Sequence, residues 1–143
     1  MTIVLGIFAG IIFITYSLYF VQIIKGSQQE FEQQLLEALA DWMVSTGAKA
    51  RRQLWILIIL AVILEIAYFV LTLLVVENLL IIAFTGAFVM LETLHIFSTI
   101  NNFNKFFSET IVLKELFEWR VERISAMVFF THSFLVLSCI IFF

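Results

Sequence analysis

Four ionisable side chains lie within strongly apolar stretches of the chain: Glu65, Glu92, His95 and His132. A charged group within hydrocarbon is costly, so ionisable residues inside membrane spans by default indicate a functional site. Counting about 1.5 Å per residue from the span ends that adjoin basic residues places Glu92 and His132 about 12 Å deep, His95 shallower and Glu65 about 16 Å deep. The sequence therefore predicts that these four side chains can meet in one layer.

Two kinds of chemistry fit this set. Glu92 and His95 form E-x-x-H, whose spacing puts both side chains on one helix face, as in di-iron helical bundles, although only half of such a ligand set is present. A mononuclear iron or zinc site at Glu92, His95 and His132, or a haem held by both histidines, is one hypothesis. A proton relay or cation path through the four side chains is another.

The composition indicates a membrane protein. Of the 143 residues, 63% are hydrophobic and 13% are charged, which is far more apolar than a soluble domain. The basic residues form no run, so nucleic acid is not an expected partner. Cys139 is the single cysteine and cannot form an intrachain disulfide.

Apolar stretches long enough to cross a bilayer predict an all-α, four-span membrane protein that forms one domain over 1–143. The spans are predicted at 3–24, 54–76, 79–100 and 124–143, with connecting segments at 25–53 and 101–123. Nothing basic precedes the first span and no small-x-small cleavage pattern follows it, so we expect a mature helix there.

All the Lys and Arg residues lie in the two longer connecting segments: Lys25, Lys49, Arg51, Arg52, Lys105, Lys114, Arg120 and Arg123. Basic residues favour the cytoplasmic side of a membrane, so we expect both termini outside and both segments in the cytoplasm, with the cell membrane as the location.

The first connecting segment predicts an amphipathic helix that begins near Gln28, after the capping box Ser27 to Glu30, and ends at Gly47. Its polar face is acidic, whereas helices that lie on lipid usually carry Lys or Arg there. We therefore expect this helix to dock a protein partner through one apolar face: Phe31, Leu35, Leu39 and Trp42.

The second connecting segment predicts a helix that runs from Glu109 without a break into the fourth span, as a cytoplasmic extension of that span. Its apolar positions recur at helical spacing and no breaker follows them. Lys114 and Glu118, four residues apart, would then pair on its surface.

Small residues predict sites of close helix packing, either within the chain or between copies of it. Gly6 and Gly10 form G-x-x-x-G in the first span, and Ala83 and Ala87 form a similar pair in the third. Polar residues also fall on one side of each span and are expected to face the interior: Thr15, Tyr19 and Gln22; Ala61, Glu65, Tyr68 and Thr72; Thr85, Glu92, His95 and Thr99; Ser125, His132 and Cys139.

The sequence carries no nucleophile constellation and no phosphate-binding loop, so we expect a non-enzymatic protein. The leading prediction is an oligomeric or accessory subunit of a larger membrane complex, in which the intramembrane polar residues fix helix register. The second hypothesis is a small oligomeric ion channel or proton-linked transporter that uses Glu65, Glu92, His95 and His132. The third hypothesis is a metal- or haem-binding protein. Under the other two hypotheses we expect no cofactor.

Overall fold

The computed structural model describes residues 1–142, which fold into five α-helices: α1 (Thr2–Lys25), α2 (Gln28–Thr46), α3 (Ala50–Val75), α4 (Leu79–Phe107) and α5 (Trp119–Phe142). Single turns of 3-10 helix lie at Gly47–Lys49 and Leu113–Glu115. Four segments, containing α1, α3, α4 and α5, are long and apolar enough to cross a membrane. The all-α prediction and its four candidate spans are confirmed.

The four long helices form a closed bundle. α1 packs along α5, α5 packs on α4, α4 on α3, and α3 on α1. Because the first loop is long, the sequence left the position of the first span open, and the structure places it between α3 and α5. Aromatic rings in edge-to-face contact fill the middle of the bundle: Phe88 lies 4.6 Å from Phe129 and 5.2 Å from Phe69 between ring centroids.

The two ends of the bundle differ in character. At one end, Thr2, the 76–78 turn and Cys139 border the same small cavity, so the beginning of α1 and the last turns of α5 lie together. At the opposite end lie α2, the connection between α4 and α5, and the segments that carry every Lys and Arg. We call these the apolar end and the α2 end.

Helix α2 begins and ends where its sequence predicts. The Ser27 hydroxyl accepts a hydrogen bond from the Glu30 N–H at 3.1 Å, and the Glu30 carboxylate accepts one from the Ser27 N–H at 3.4 Å. The helix ends at Gly47, whose φ of 62° and ψ of −136° suit a residue without a Cβ. The predicted capping box and stop are therefore confirmed.

The apolar face of α2 packs on its own chain. Leu39, Trp42 and Met43 join a second cluster built on Leu54, Phe103 and Leu116. Phe31 contacts Tyr19 of α1, with ring centroids 5.3 Å apart.

The prediction of one continuous helix from Glu109 into the fourth span is wrong. α4 instead continues to Phe107 and ends in a Schellman motif, in which Glu109 has a φ of 58° and the Thr110 N–H donates to the Lys105 carbonyl at 2.9 Å. After the 3-10 turn, α5 begins only at Trp119. The extension beyond the predicted spans therefore belongs mainly to α4, and Lys114 and Glu118 do not share a helix.

Burial of Leu116 explains the break. This side chain is 1% exposed and packs with Leu54 and Phe103 beneath the bundle. A straight helix from Glu109 would carry Leu116 away from α3, so apolar burial favours the folded connection. The apolar residues whose spacing predicted a helix are instead packed by a compact turn.

Among residues 1–142, the predicted small-residue contacts are not made within the chain. A Cβ built at Gly6 or at Gly10 would meet nothing within 4 Å, and Leu5 and Ala9 are the α1 side chains that are buried. Ala83 and Ala87 lie on an exposed face of α4. The intramolecular interpretation of these residues is therefore not supported, and packing between copies stays a prediction.

Candidate functional site

A histidine lies between two carboxylates near the α2 end of the bundle. His95 Nδ1 is 3.1 Å from Glu92 Oε2, and His95 Nε2 is 3.0 Å from Glu122 Oε1. The Glu92 side chain is 3% exposed and the Glu122 side chain is 29% exposed. The three side chains thus form a hydrogen-bonded row from the protein surface to a buried carboxylate.

This row can move a proton. Imidazole can take up a proton at one ring nitrogen and release one from the other, which is why histidine acts as a proton shuttle. Here each ring nitrogen faces a different carboxylate oxygen. A proton that arrives at the partly exposed Glu122 can therefore pass through His95 to Glu92 without a rotation of the imidazole ring.

A cavity of about 410 Å³ surrounds this row and also contains Glu65. No lysine or arginine among the described residues borders it, so three carboxylates face one histidine as the only basic group. Its remaining wall is mostly aromatic and aliphatic: Tyr16, Tyr19, Leu35, Leu39, Phe117, Trp119, Ala126 and Phe129, with Ser125. The cavity is therefore acidic and largely apolar.

Within residues 1–142, two buried carboxylate oxygens at this cavity have no hydrogen-bond partner: Glu92 Oε1 and Glu65 Oε2. An ionised carboxylate with an unpaired, buried oxygen is costly in a medium of low dielectric constant. Either a proton or a bound cation removes that cost. These two oxygens therefore indicate that the cavity holds either protonated carboxylates or a bound cation.

Local sequence explains the row. Glu92 and His95 are three residues apart on α4, so they share a face, as the E-x-x-H spacing predicts. Glu122 was missed because it lies in the segment assigned to the cytoplasm. Its signal was present: Glu122 precedes Ser125 by three residues and so continues the polar face of the fourth span. Tyr16, also missed, stacks on Phe129 with centroids 5.5 Å apart.

His132 does not border the cavity and lies in a separate buried site toward the apolar end of the bundle. Tyr68 Oη lies 2.7 Å from His132 Nδ1, and Thr85 Oγ1 lies 2.8 Å from His132 Nε2. The Thr85 hydroxyl already donates to the Ile81 carbonyl at 2.7 Å, so it can only accept from the imidazole. His132 Nε2 therefore carries a proton, and Nδ1 of a neutral imidazole accepts from the Tyr68 hydroxyl.

Of the four side chains that the sequence predicts could meet, three share the cavity and His132 does not. Glu65, Glu92 and His95 border it together with Glu122. The polar stripes do face inward at Tyr68, Thr72, Thr85, Ser125 and His132, which are all buried. That prediction is confirmed at these positions, and it is wrong at Thr15, Gln22 and Ala61, which are exposed.

The predicted docking residues lie between the cavity and the second cluster. Leu39 borders both, and Trp42 packs in the cluster, so these two residues already contact the bundle. Leu35 borders the cavity and stays 45% exposed. Docking of a partner on the acidic helix stays a prediction, with Leu35 as its most accessible apolar residue.

Within residues 1–142, no three His, Cys, Asp or Glu side chains are grouped closely enough to hold a metal ion. The metal and haem hypotheses for Glu92, His95 and His132 stay predictions. No protein-family model, characterised protein or solved structure matches this chain, so no relative indicates what the cavity binds.

Proposed function

We propose that the chain is an integral membrane protein that binds a cation in its acidic cavity in exchange for protons, as a small proton-linked transporter. The observation that carries this proposal is Glu92, which is 2% exposed, bonded to His95 through one oxygen and unpaired at the other. A buried carboxylate is stabilised by a proton, by a protonated His95 beside it or by a bound cation, and a proton and a bound cation exclude each other from it.

The hydrogen-bonded row of Glu92, His95 and Glu122 gives the exchanged proton a route. Release of a proton from Glu92 is required before a cation can bind beside an ionised carboxylate. His95 offers that proton a path to Glu122 and the α2 end, where water has access to Glu122. Glu65, across the cavity, supplies a second negative charge for the cation.

The packing of the apolar end favours a carrier over an open pore. Beyond His132, the interior is filled by Leu5, Ala9 and Val136, which are fully buried. Within one copy of the chain, a ligand in the cavity therefore faces an apolar barrier toward that end. Release on the other side would require the helices to rearrange, as in alternating access.

The membrane orientation is part of the proposal. The α2 end carries all the basic residues and should lie in the cytoplasm, with both termini outside. The acidic cavity would then be reached from the cytoplasm past α2. Accessibility of cysteines introduced at the 76–78 turn and in α2, measured in intact cells, tests this arrangement.

The test of the exchange uses the protein in liposomes that contain a pH-sensitive dye. An inward gradient of Na⁺, K⁺, tetramethylammonium or decyltrimethylammonium is applied, with protein-free liposomes as the blank. We expect at least one cation to drive protons out. Glu92→Gln should abolish this proton efflux, whereas Glu77→Gln, the same change in the exposed turn at the apolar end, should leave it intact.

His95→Gln separates relay from binding. Glutamine keeps a hydrogen-bonding group beside Glu92 but cannot pass a proton between two ring nitrogens. Loss of a positioned proton-transfer group typically costs about a hundredfold or more in rate, so proton efflux should slow to that extent while cation binding persists. The proposal is refuted if no cation moves protons, or if Glu92→Gln exchanges them as the native protein does.

A specific observation also favours the alternative of an oligomeric or accessory subunit. Gly6 and Gly10 lie on α1 with open space at both Cβ positions, which would allow another helix to approach closely. Gly6→Leu with Gly10→Leu should then reduce the particle mass in mild detergent to that of one chain. An unchanged mass would remove these glycines from any interface.

A further inference from the structure

We infer that the cation is amphipathic, with its charged head in the acidic cavity and an apolar chain in a lateral cleft between α1 and α3. This inference rests on the proposed function and names the class of ligand. Two neighbouring spaces that share one carboxylate carry it: the acidic cavity and a cleft that is almost wholly apolar.

The lateral cleft is apolar and faces outward. It has a volume of about 520 Å³ and lies between α1 and α3, with Phe129 of α5 at its floor. Ile7 and Ile11 on one rim and Leu64 on the other are about half exposed, so the cleft opens to the sides of the bundle. In a bilayer, that side is lipid.

The cleft and the cavity meet at Glu65. Tyr16, Glu65 and Phe129 border both spaces. Ala61, one turn from Glu65 on α3, contributes only a methyl group to the cleft, which leaves it open just beside the carboxylate. A ligand that enters sideways from the lipid would meet Glu65 first and Glu92 behind it.

The lining of the cavity suits a diffuse organic charge. Aromatic rings and dispersed carboxylates suit a quaternary ammonium group, which is attracted to ring faces and is weakly hydrated. Tyr16, Tyr19 and Trp119 are the rings nearest to this role.

The apolar chain of the ligand has a distinct part in this scheme. A tail in the cleft leaves lipid rather than water, so little hydrophobic free energy is gained on binding. The tail instead concentrates the ligand in the bilayer, next to the opening. The tail must still fit in the cleft for the head to reach the cavity. A larger side chain at Ala61 would fill the cleft and so weaken binding.

The experiment measures equilibrium binding of radiolabelled decyltrimethylammonium to the protein in lipid nanodiscs, with empty nanodiscs subtracted. We expect saturable binding that decylsulfonate, of the same length and opposite charge, does not displace. Glu92→Gln and Ala61→Phe should each weaken binding by at least tenfold. Ala83→Phe, the same enlargement on an exposed face of α4, should leave it unchanged.

Ile11→Trp is the second variant that fills the cleft, from the α1 side, and it decides the case if Ala61→Phe fails to fold. Binding that survives in the folded cleft variants, or that decylsulfonate displaces equally well, would overturn the inference. So would the absence of saturable binding.

Failure of this inference can be told apart from failure of the proposed function. If Na⁺, K⁺ or tetramethylammonium drives proton efflux that depends on Glu92, while decyltrimethylammonium does not bind, the exchange function stands and the amphipathic ligand is rejected. If none of the four cations moves protons, the exchange function is rejected whatever the binding result.

Discussion

The buried hydrogen bond between Tyr68 and His132 offers a test of the bundle interior that does not depend on function. Tyr68→Phe removes only the hydroxyl that donates to Nδ1 at 2.7 Å and leaves the ring packing unchanged. His132 then keeps a buried acceptor without a partner, because Tyr68 and His132 are both fully buried. The Thr85 contact to Nε2 cannot compensate, since it uses the other nitrogen.

The expected magnitude follows from that burial. Leaving a buried acceptor unpaired costs about 1–3 kcal/mol, whereas side-chain hydrogen bonds in membrane proteins average about 0.6 and reach about 1.7 kcal/mol. Because no water reaches this site to replace the hydroxyl, we expect Tyr68→Phe to lower the free energy of unfolding by about 1.5 kcal/mol, near the top of the membrane range.

Reversible unfolding by dodecyl sulfate in mixed micelles, followed by circular dichroism, measures this change. Tyr19→Phe is the control, since it removes the same hydroxyl from a ring that packs near the α2 end. A double-mutant cycle with His132→Leu should give a coupling energy of about 1 kcal/mol. Equal stabilities of Tyr68→Phe and the control would refute the assigned hydrogen bond, as would nitrogen NMR that places the His132 proton on Nδ1.

Two further predictions concern the α2 end. Glu109→Gly should raise the free energy of unfolding by about 0.5–1 kcal/mol, because glycine adopts the left-handed conformation of this residue without the cost of a Cβ; a lower stability in the same micelle assay would contradict the Schellman ending of α4. Leu39→Glu should detach α2 from the bundle, which amide exchange would report as loss of protection across 28–46. Leu35→Glu, at the more exposed position, should keep that protection. Equal exchange in both variants would contradict the packing of α2 on its own chain.

The helical segments could be predicted because their signals are local. A helix satisfies its own backbone hydrogen bonds, so an apolar run of sufficient length is enough to define a candidate span. The start of α2 was equally predictable, since the Ser27 and Glu30 capping contacts lie within four residues. The inward direction of the polar stripes followed from helical spacing at Tyr68, Thr85 and His132, whereas Thr15 and Gln22 of α1 are exposed.

The connection between α4 and α5 could not be predicted in this way. Its apolar residues have helical spacing, but Leu116 is buried by Leu54 and Phe103, which are distant in sequence. Spacing reports that a residue seeks burial and does not report where the burying surface lies. The same limit applies to α2, whose apolar face was assigned to a partner and packs in part on its own bundle, with none of its residues fully buried.

The candidate site also has one part that follows from local spacing and one part that depends on contacts between helices. The sequence alone determined that Glu92 and His95 lie side by side, because a spacing of three residues on one helix fixes their relation. Only the tertiary structure decided that Glu122 completes the row, that Glu65 faces it across a cavity and that His132 pairs with Tyr68 instead. Which side chains meet between helices depends on how far each helix is rotated and shifted against its neighbours. The packing of the whole bundle determines these rotations and shifts, so no single segment of the chain specifies them.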